Sequence, residues 1–183
     1  MNLRRRTVLA QWAAAVALPG LALSASAADP SAPRQIAWAD LLPKGWDAQQ
    51  ALRGVDLAGL QDGDPRANEI LLRLREAADS APPNTALNGT SIRIAGFVVP
   101  IEELRGEVSE FLLVPYFGAC IHSPPPPANQ IIHVTAPSAH KGLRSMDVVW
   151  VSGTLRVTRS DTQMGVSGYS VSADRLERYT GAK

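Results

Sequence analysis

From residue 91 onward, apolar and polar positions alternate with a period of two. The run Ser91-Ile92-Arg93-Ile94-Ala95-Gly96-Phe97-Val98-Val99 is rich in β-branched and aromatic residues and predicts a half-buried strand. Glu110–Val114, Gln130–Thr135, Val148–Val157 and Ser167–Ala173 predict four more, before a polar end at Asp174–Lys183. Gly96 and Gly153 fall inside the first and fourth strands, where they predict sharp bends or bulges. Five short strands with mid-strand glycines predict a mainly β fold, a small OB-like five-stranded barrel. A β-sandwich is the alternative.

Before residue 84 the period differs. Ile70, Leu71, Leu74, Ala77 and Ala78 make one stripe at three-four spacing, which predicts a helix over 64–79. Asp64 suits its N-cap and Pro65 its first position, where no backbone N–H is needed. Residues 36–62 carry scattered apolar residues between prolines and glycines and read as an irregular arm wrapping a domain, with Trp38 and Trp46 packing rather than binding ligand. The helix precedes the barrel instead of following its third strand, a variant of the OB plan. The expected organisation is a leader over 1–27, an arm and helix over 28–83 and the barrel over 84–183, with one globular domain spanning 36–180.

The leader is read from its own pattern. Arg4-Arg5-Arg6 is a basic start, Val8–Leu23 is apolar, and Ala25-Ser26-Ala27 offers a small-x-small cleavage site. The apolar run is too short to favour a permanent membrane span, so no integral membrane segment is expected after cleavage. Arg5-Arg6-Thr7-Val8-Leu9 fits the twin-arginine form loosely, and an ordinary Sec signal is the other route. Either way the expected location is the periplasm.

Export changes the charge. Loss of the three leader arginines leaves 15 Lys+Arg against 17 Asp+Glu, a net charge of −2 instead of +1. A mature chain of that balance is not a basic nucleic-acid binder. It carries one cysteine, so it has no internal disulfide in an oxidising compartment, and the thiol must be buried, metal-bound, reactive or paired with another protein.

That cysteine and all three histidines fall between Cys120 and His140. In extended backbone, residues i and i+2 share a side, so Cys120 and His122 are placed to present sulfur and imidazole to one metal. Thiolate and imidazole suit zinc, with copper as the alternative. His133, on the following strand, is the third candidate ligand if the second and third strands are neighbours. His140 is the weakest, and Glu102, Glu103, Glu107, Glu110 and Asp147 are candidate carboxylates that no spacing selects. Pro124–Pro127 predicts a stiff polyproline II rod that emerges as a loop. Tyr116 and Phe117 beside it read as barrel packing or as a binding face. Plain structural readings exist for each: a small buried cysteine, a half-exposed strand histidine, a rod that docks a partner.

The run Phe111-Leu112-Leu113-Val114-Pro115-Tyr116-Phe117-Gly118-Ala119-Cys120-Ile121-His122-Ser123-Pro124-Pro125-Pro126-Pro127-Ala128-Asn129-Gln130 resembles the hallmark of an exported bacterial family, domain of unknown function 3299 (DUF3299). Gly96–Pro100 and Trp150–Leu155 are similar to that family too, and the likeness covers roughly residues 36–180. Ser123 is a minor departure from a position that is often apolar in members. The resemblance implies an exported protein whose relatives are often encoded near ABC-type transport systems, some connected with metal uptake. It implies no reaction and no catalytic residues.

Three functional expectations follow. The first is a periplasmic accessory protein that binds a transition metal, zinc before copper, through Cys120 and His122, with His133 or a carboxylate completing the site, in the service of a metal or other ABC-type transport system. The second is a metal-free interaction module that docks a membrane transporter or envelope protein through the Pro124–Pro127 rod. The third is a thiol-dependent enzyme. It is the weakest, because there is neither a peptidase signature nor a CxxC pair, and the chain is read as a non-enzyme.

Overall fold

The computed structural model describes residues 32–47, 65–104, 106–119 and 125–180, with backbone only at 102–104 and 139. Six strands run through it: β1 (Arg34–Gln35), β2 (Thr90–Leu104), β3 (Glu107–Val114), β4 (Ile132–Lys141), β5 (Val148–Thr162) and β6 (Gly165–Arg178). One helix, α1 (Pro65–Asp79), precedes β2. Short 3-10 turns lie at Trp38–Leu41, Thr85–Leu87 and Ala128–Gln130.

All six strands belong to one sheet. Strand β2 pairs antiparallel with β5 from Thr90 to Phe97 and with β3 from Phe97 to Leu104. Strand β3 pairs antiparallel with β4, β4 parallel with β6, and β6 antiparallel with β5. The five long strands therefore close in the cyclic order β2-β3-β4-β6-β5-β2, an OB-like ring rather than two stacked sheets. Closure of this kind removes open edges along the ring. Short β1 adds to β2 in parallel, Arg34 opposite Ile92.

Every predicted strand is present, and all five run further than the alternation reaches. Strand β2 continues through Pro100 into an acidic stretch by shifting register between Pro100 and Glu102 and again before Leu104. Gln130, predicted in the third strand, instead closes the 3-10 turn that precedes β4. Gly153 sits at a register shift between β5 and β6, as its position predicts. Gly96 has a different reason. Its pairing is regular, but a Cβ there would lie 2.8 Å from Cζ2 of Trp38 and 2.7 Å from Cγ of Leu113. The glycine lets the arm's indole press on the strand.

Alternation sorts the side chains. Ile92, Ile94, Val98, Phe111, Leu113 and Ile132 point into the ring and form its main core. Ile36, Leu41 and Leu87, from the arm and the 3-10 turn before β2, belong to that core, with Trp38 packed against it. The Trp38 indole N–H donates to the Ala95 carbonyl at 2.7 Å. Buried Tyr169 on β6 donates its hydroxyl to the Leu41 carbonyl at 2.6 Å and accepts the Asn84 N–H at 2.5 Å. The described part of the arm, residues 32–47, is thus fitted against the ring. The part over residues 48–64, including Asp64, lies outside the described residues.

The α1 stripe is only half covered. No residue of α1 is buried, and Leu71 and Leu72 are 62% and 65% exposed. The pairs Arg73–Glu69 and Arg75–Asp79, each four residues apart, support the helix from its solvent side.

Candidate functional site

A second, smaller core lies on the outer face of β2 and β3. It consists of Val99, Leu112, Val114, Ala119 and Ile131, with Phe97, Ile101, Met146 and Met164 packed against it. The two ends of the cysteine–histidine segment are sunk into it: Ala119 immediately precedes Cys120, and Ile131 follows the 3-10 turn of Ala128–Gln130. Residues 120–124, with Cys120 and His122, lie outside the described residues.

His133 stands on the same face. Strands β3 and β4 are neighbours, and His133 is directly opposite Leu112, a member of the second core. Its Nε2 is 2.6 Å from Oε1 of Glu110, and its side chain is 17% exposed. The two outward-facing residues bridge the strand pair diagonally, since Glu110 is itself paired with Thr135. With Nε2 turned to a carboxylate, Nδ1 is the ring nitrogen left for another partner, the arrangement that carboxylates commonly impose on ligating histidines.

The other candidates are drawn elsewhere. His140 is opposite Val108, seven positions along β4 from His133 or roughly 20 Å at strand rise, and lines a small cavity with Lys141, Glu177 and Arg178. Glu107 pairs with Lys141 at 3.3 Å, and Asp147 with Arg178 at 3.3 Å and with the Arg144 N–H at 3.0 Å. Glu102 holds the register position opposite Glu110, and the side chains of Glu102 and Glu103 are outside the description. Glu110 is therefore the carboxylate that the fold singles out at His133. Among the described residues, no group of three or more His, Cys, Asp or Glu could hold a metal ion. His133 and Glu110 are not a complete site by themselves.

The end of the hallmark segment has a mechanical role that residue chemistry alone did not reveal. Asn129 is fully buried, and its Nδ2 donates to the Pro82 carbonyl at 3.0 Å. The Gln130 Nε2 donates to the Trp38 carbonyl at 2.9 Å. These amides tie the linker after α1 and the arm to the ring beside β6, where Gly168 lets the Ala128 carbonyl come close. The Asn129 Oδ1 has no hydrogen-bond partner among the described residues. Pro127 has φ −57° and ψ 150°, within the predicted polyproline II range. Pro125 lines a groove of about 710 Å³ with Asn68, Leu71, Leu72, Leu74, Arg75 and Ala78 of α1.

Tyr116 and Phe117 are surface residues rather than core, 44% and 67% exposed. The Phe117 ring stands edge-on to Phe97 with centroids 6.0 Å apart. Met146 and Met164 pack against the second core, and the Met146 Sδ accepts the Gly118 N–H at 3.2 Å.

The fold defines a β-rich, OB-like domain with a second small core on the outer face of its ring. The chain matches the family model described as a protein of unknown function, DUF3299, over residues 38–178, and it belongs to that family. A crystal structure of a DUF3299 family protein from Pseudomonas aeruginosa PAO1 is 34% identical, covers 83% of this chain and 99% of that one, and superposes with a TM-score of 0.64. A small single-stranded DNA-binding protein from Streptomyces coelicolor is 17% identical over 51% of this chain and 96% of that one, with a TM-score of 0.31, too distant to carry an argument. No curated protein matches. Among the described residues, no helix is long and apolar enough to cross a membrane.

Proposed function

We propose that this chain is an exported, periplasmic accessory protein that holds a transition metal through Cys120, His122 and His133, in the service of an ABC-type transport system. The observation that carries the reading is the shared anchorage. Ala119 and Ile131, which bracket the cysteine–histidine segment, pack on the core that includes Leu112, and Leu112 is the cross-strand partner of His133. The His133 imidazole is oriented by Glu110 at 2.6 Å, as a ligating imidazole needs. Thiolate and imidazole suit zinc or Cu(I) better than magnesium or calcium. A bound metal would also keep the lone thiol deprotonated and shielded from oxidation.

The test is metal content. Untagged protein purified from the periplasm, beside its Cys120→Ala/His122→Ala variant, is analysed by inductively coupled plasma mass spectrometry. Near one equivalent of zinc or copper, lost in the variant, is expected. A wild type that is empty and takes up no added metal overturns the reading.

One observation favours a second reading. Pro125 and the exposed Leu71 and Leu72 line one apolar groove, so the proline rod and α1 offer a joint surface to a transporter or envelope partner. Capture of such a partner that is lost on replacing Pro124–Pro127, by a metal-free protein, would favour it.

A further inference from the structure

The turn that leads into β2 contains a dipeptide prone to spontaneous deamidation. Asn88 is followed by Gly89, the only asparagine–glycine pair in the sequence. In such a pair the glycine main-chain nitrogen can attack the asparagine side-chain amide carbon, because no Cβ on the glycine shields it. The fold needs both residues nonetheless. Gly89 has φ 78°, in the left-handed region that glycine takes without strain. Asn88 closes the 3-10 turn Thr85–Leu87, its N–H donated to the Thr85 carbonyl at 3.1 Å.

Both reacting groups are engaged by β5. The Gly89 N–H donates to the Leu155 carbonyl at 2.7 Å, and the Asn88 Oδ1 accepts the Val157 N–H at 2.9 Å. Together they extend the β2–β5 ladder past its first register pair, Thr90 with Leu155, with the side-chain carbonyl standing in for a main-chain one. The proton that must leave the Gly89 nitrogen is the one given to Leu155. The amide that must swing onto that nitrogen is tied to Val157. Asn88 and Gly89 are both exposed, so water reaches them. Hydrogen bonds guard the pair, and burial does not.

We propose that Asn88 is a latent self-modification site, deamidated when the Asn84–Thr90 corner opens and spared while it is closed. The Gly89 nitrogen forms a bond to Asn88 Cγ, and the bond from Cγ to the amide nitrogen breaks, releasing ammonia that carries off the Gly89 proton. One water then opens the succinimide and leaves aspartate or isoaspartate at position 88. No oxidant, metal or enzyme takes part, so the inference is independent of the metal reading. Isoaspartate inserts an extra carbon into the main chain between residues 88 and 89, which moves the rungs to Leu155 and Val157 out of register and makes opening irreversible. Tyr169 holds the corner from the ring: its hydroxyl accepts the Asn84 N–H at 2.5 Å, and the Asn84 side chain caps the turn through the Ala86 N–H at 3.2 Å. The deamidation rate therefore follows the open fraction of this corner.

The experiment keeps wild type at one pH and temperature in native buffer and in guanidinium chloride, beside Tyr169→Phe in native buffer. Peptide mass spectrometry follows the conversion of amide to acid at residue 88, with Asn84 and Asn129 in the same digests as internal controls. We expect Asn88 to convert roughly tenfold or more slowly in native wild type than in denaturant, and faster in native Tyr169→Phe than in native wild type. Equal rates in native buffer and denaturant overturn the proposal, as does an Asn88 that stays intact in denaturant. A Tyr169→Phe protein whose denaturation midpoint falls while Asn88 converts no faster than in wild type also overturns it. Should Tyr169→Phe fail to fold, the comparison of wild type in the two solvents still decides.

Discussion

The Nε2 of His133 and Oε1 of Glu110 are 2.6 Å apart on the outer face of β3 and β4, beside the core into which both ends of the cysteine–histidine segment are packed. The contact engages one ring nitrogen and restrains the orientation of the imidazole. In the proposed site Glu110 is thus a positioning residue, not a ligand. Glu110→Gln keeps a group of the same size that can still meet the ring nitrogen, and removes the charge. We expect Zn(II) and Cu(I) affinity to fall by about 10–100-fold, the range typical of lost outer-shell carboxylates, with thermal stability nearly unchanged. Competition titration and a melting curve on one preparation check this. An unchanged affinity would mean that the pair is only a cross-strand surface contact.

Tyr169 should matter to stability alone. Its hydroxyl joins the Leu41 carbonyl to the Asn84 N–H inside the protein. Tyr169→Phe leaves both backbone groups without their partner, at a cost of about 1–3 kcal/mol for buried groups left unsatisfied. A lower denaturation midpoint and faster proteolysis of the arm near Leu41 are expected, with metal content unaltered.

The same hydroxyl sets an alkaline limit. Burial pushes the Tyr169 phenol above its ordinary value of 10.0, and the Asn84 N–H pulls more weakly the other way. A raised folded-state value means that the neutral phenol is favoured by folding. Its contribution is therefore complete below about pH 10 and is lost as the pH climbs through the folded-state value. Wild type should lose stability relative to Tyr169→Phe only above that pH. Urea midpoints of both proteins between pH 8 and 11 would show the gap narrowing, and a gap that is flat across this range would count against the account.

How much of this was legible in the chain depends on what each residue faces. Ile92, Ile94 and Val98 alternate because one side of β2 is core, and that period is visible without a structure. The ring closure also leaves a trace, in Gly153 at the shift between β5 and β6. Partners distant in sequence leave none. Nothing near Gly96 says that Trp38 will lie on it, and nothing near Glu110 says that it, rather than Glu107 or Asp147, will meet His133. That choice follows from the register of β3 on β4, which a bulge between Val108 and Glu110 resets. For Phe117 the pattern left packing and a binding face both open: the chain turns after Val114 and leaves the ring 67% exposed, edge-on to Phe97.

The hallmark segment divides into two parts with separable roles, and that division can be tested. Asn129 and Gln130 bind the Pro82 and Trp38 carbonyls and so hold the arm and the α1 linker against the ring. Neither faces His133 through any hydrogen bond described. Asn129→Ala removes a buried amide, so the cost is the lost bond to Pro82 and the small space left behind. Together with Gln130→Ala we expect a loss of about 1–3 kcal/mol, by analogy with other buried hydrogen bonds broken on one side. Cys120→Ala/His122→Ala should do the reverse, removing metal while leaving the metal-free protein as stable as wild-type apoprotein. Denaturant midpoints and metal content, measured on both double variants with and without chelator, give a two-by-two comparison. If Asn129→Ala/Gln130→Ala abolishes metal binding while the fold persists, the two halves act as one unit and the division fails.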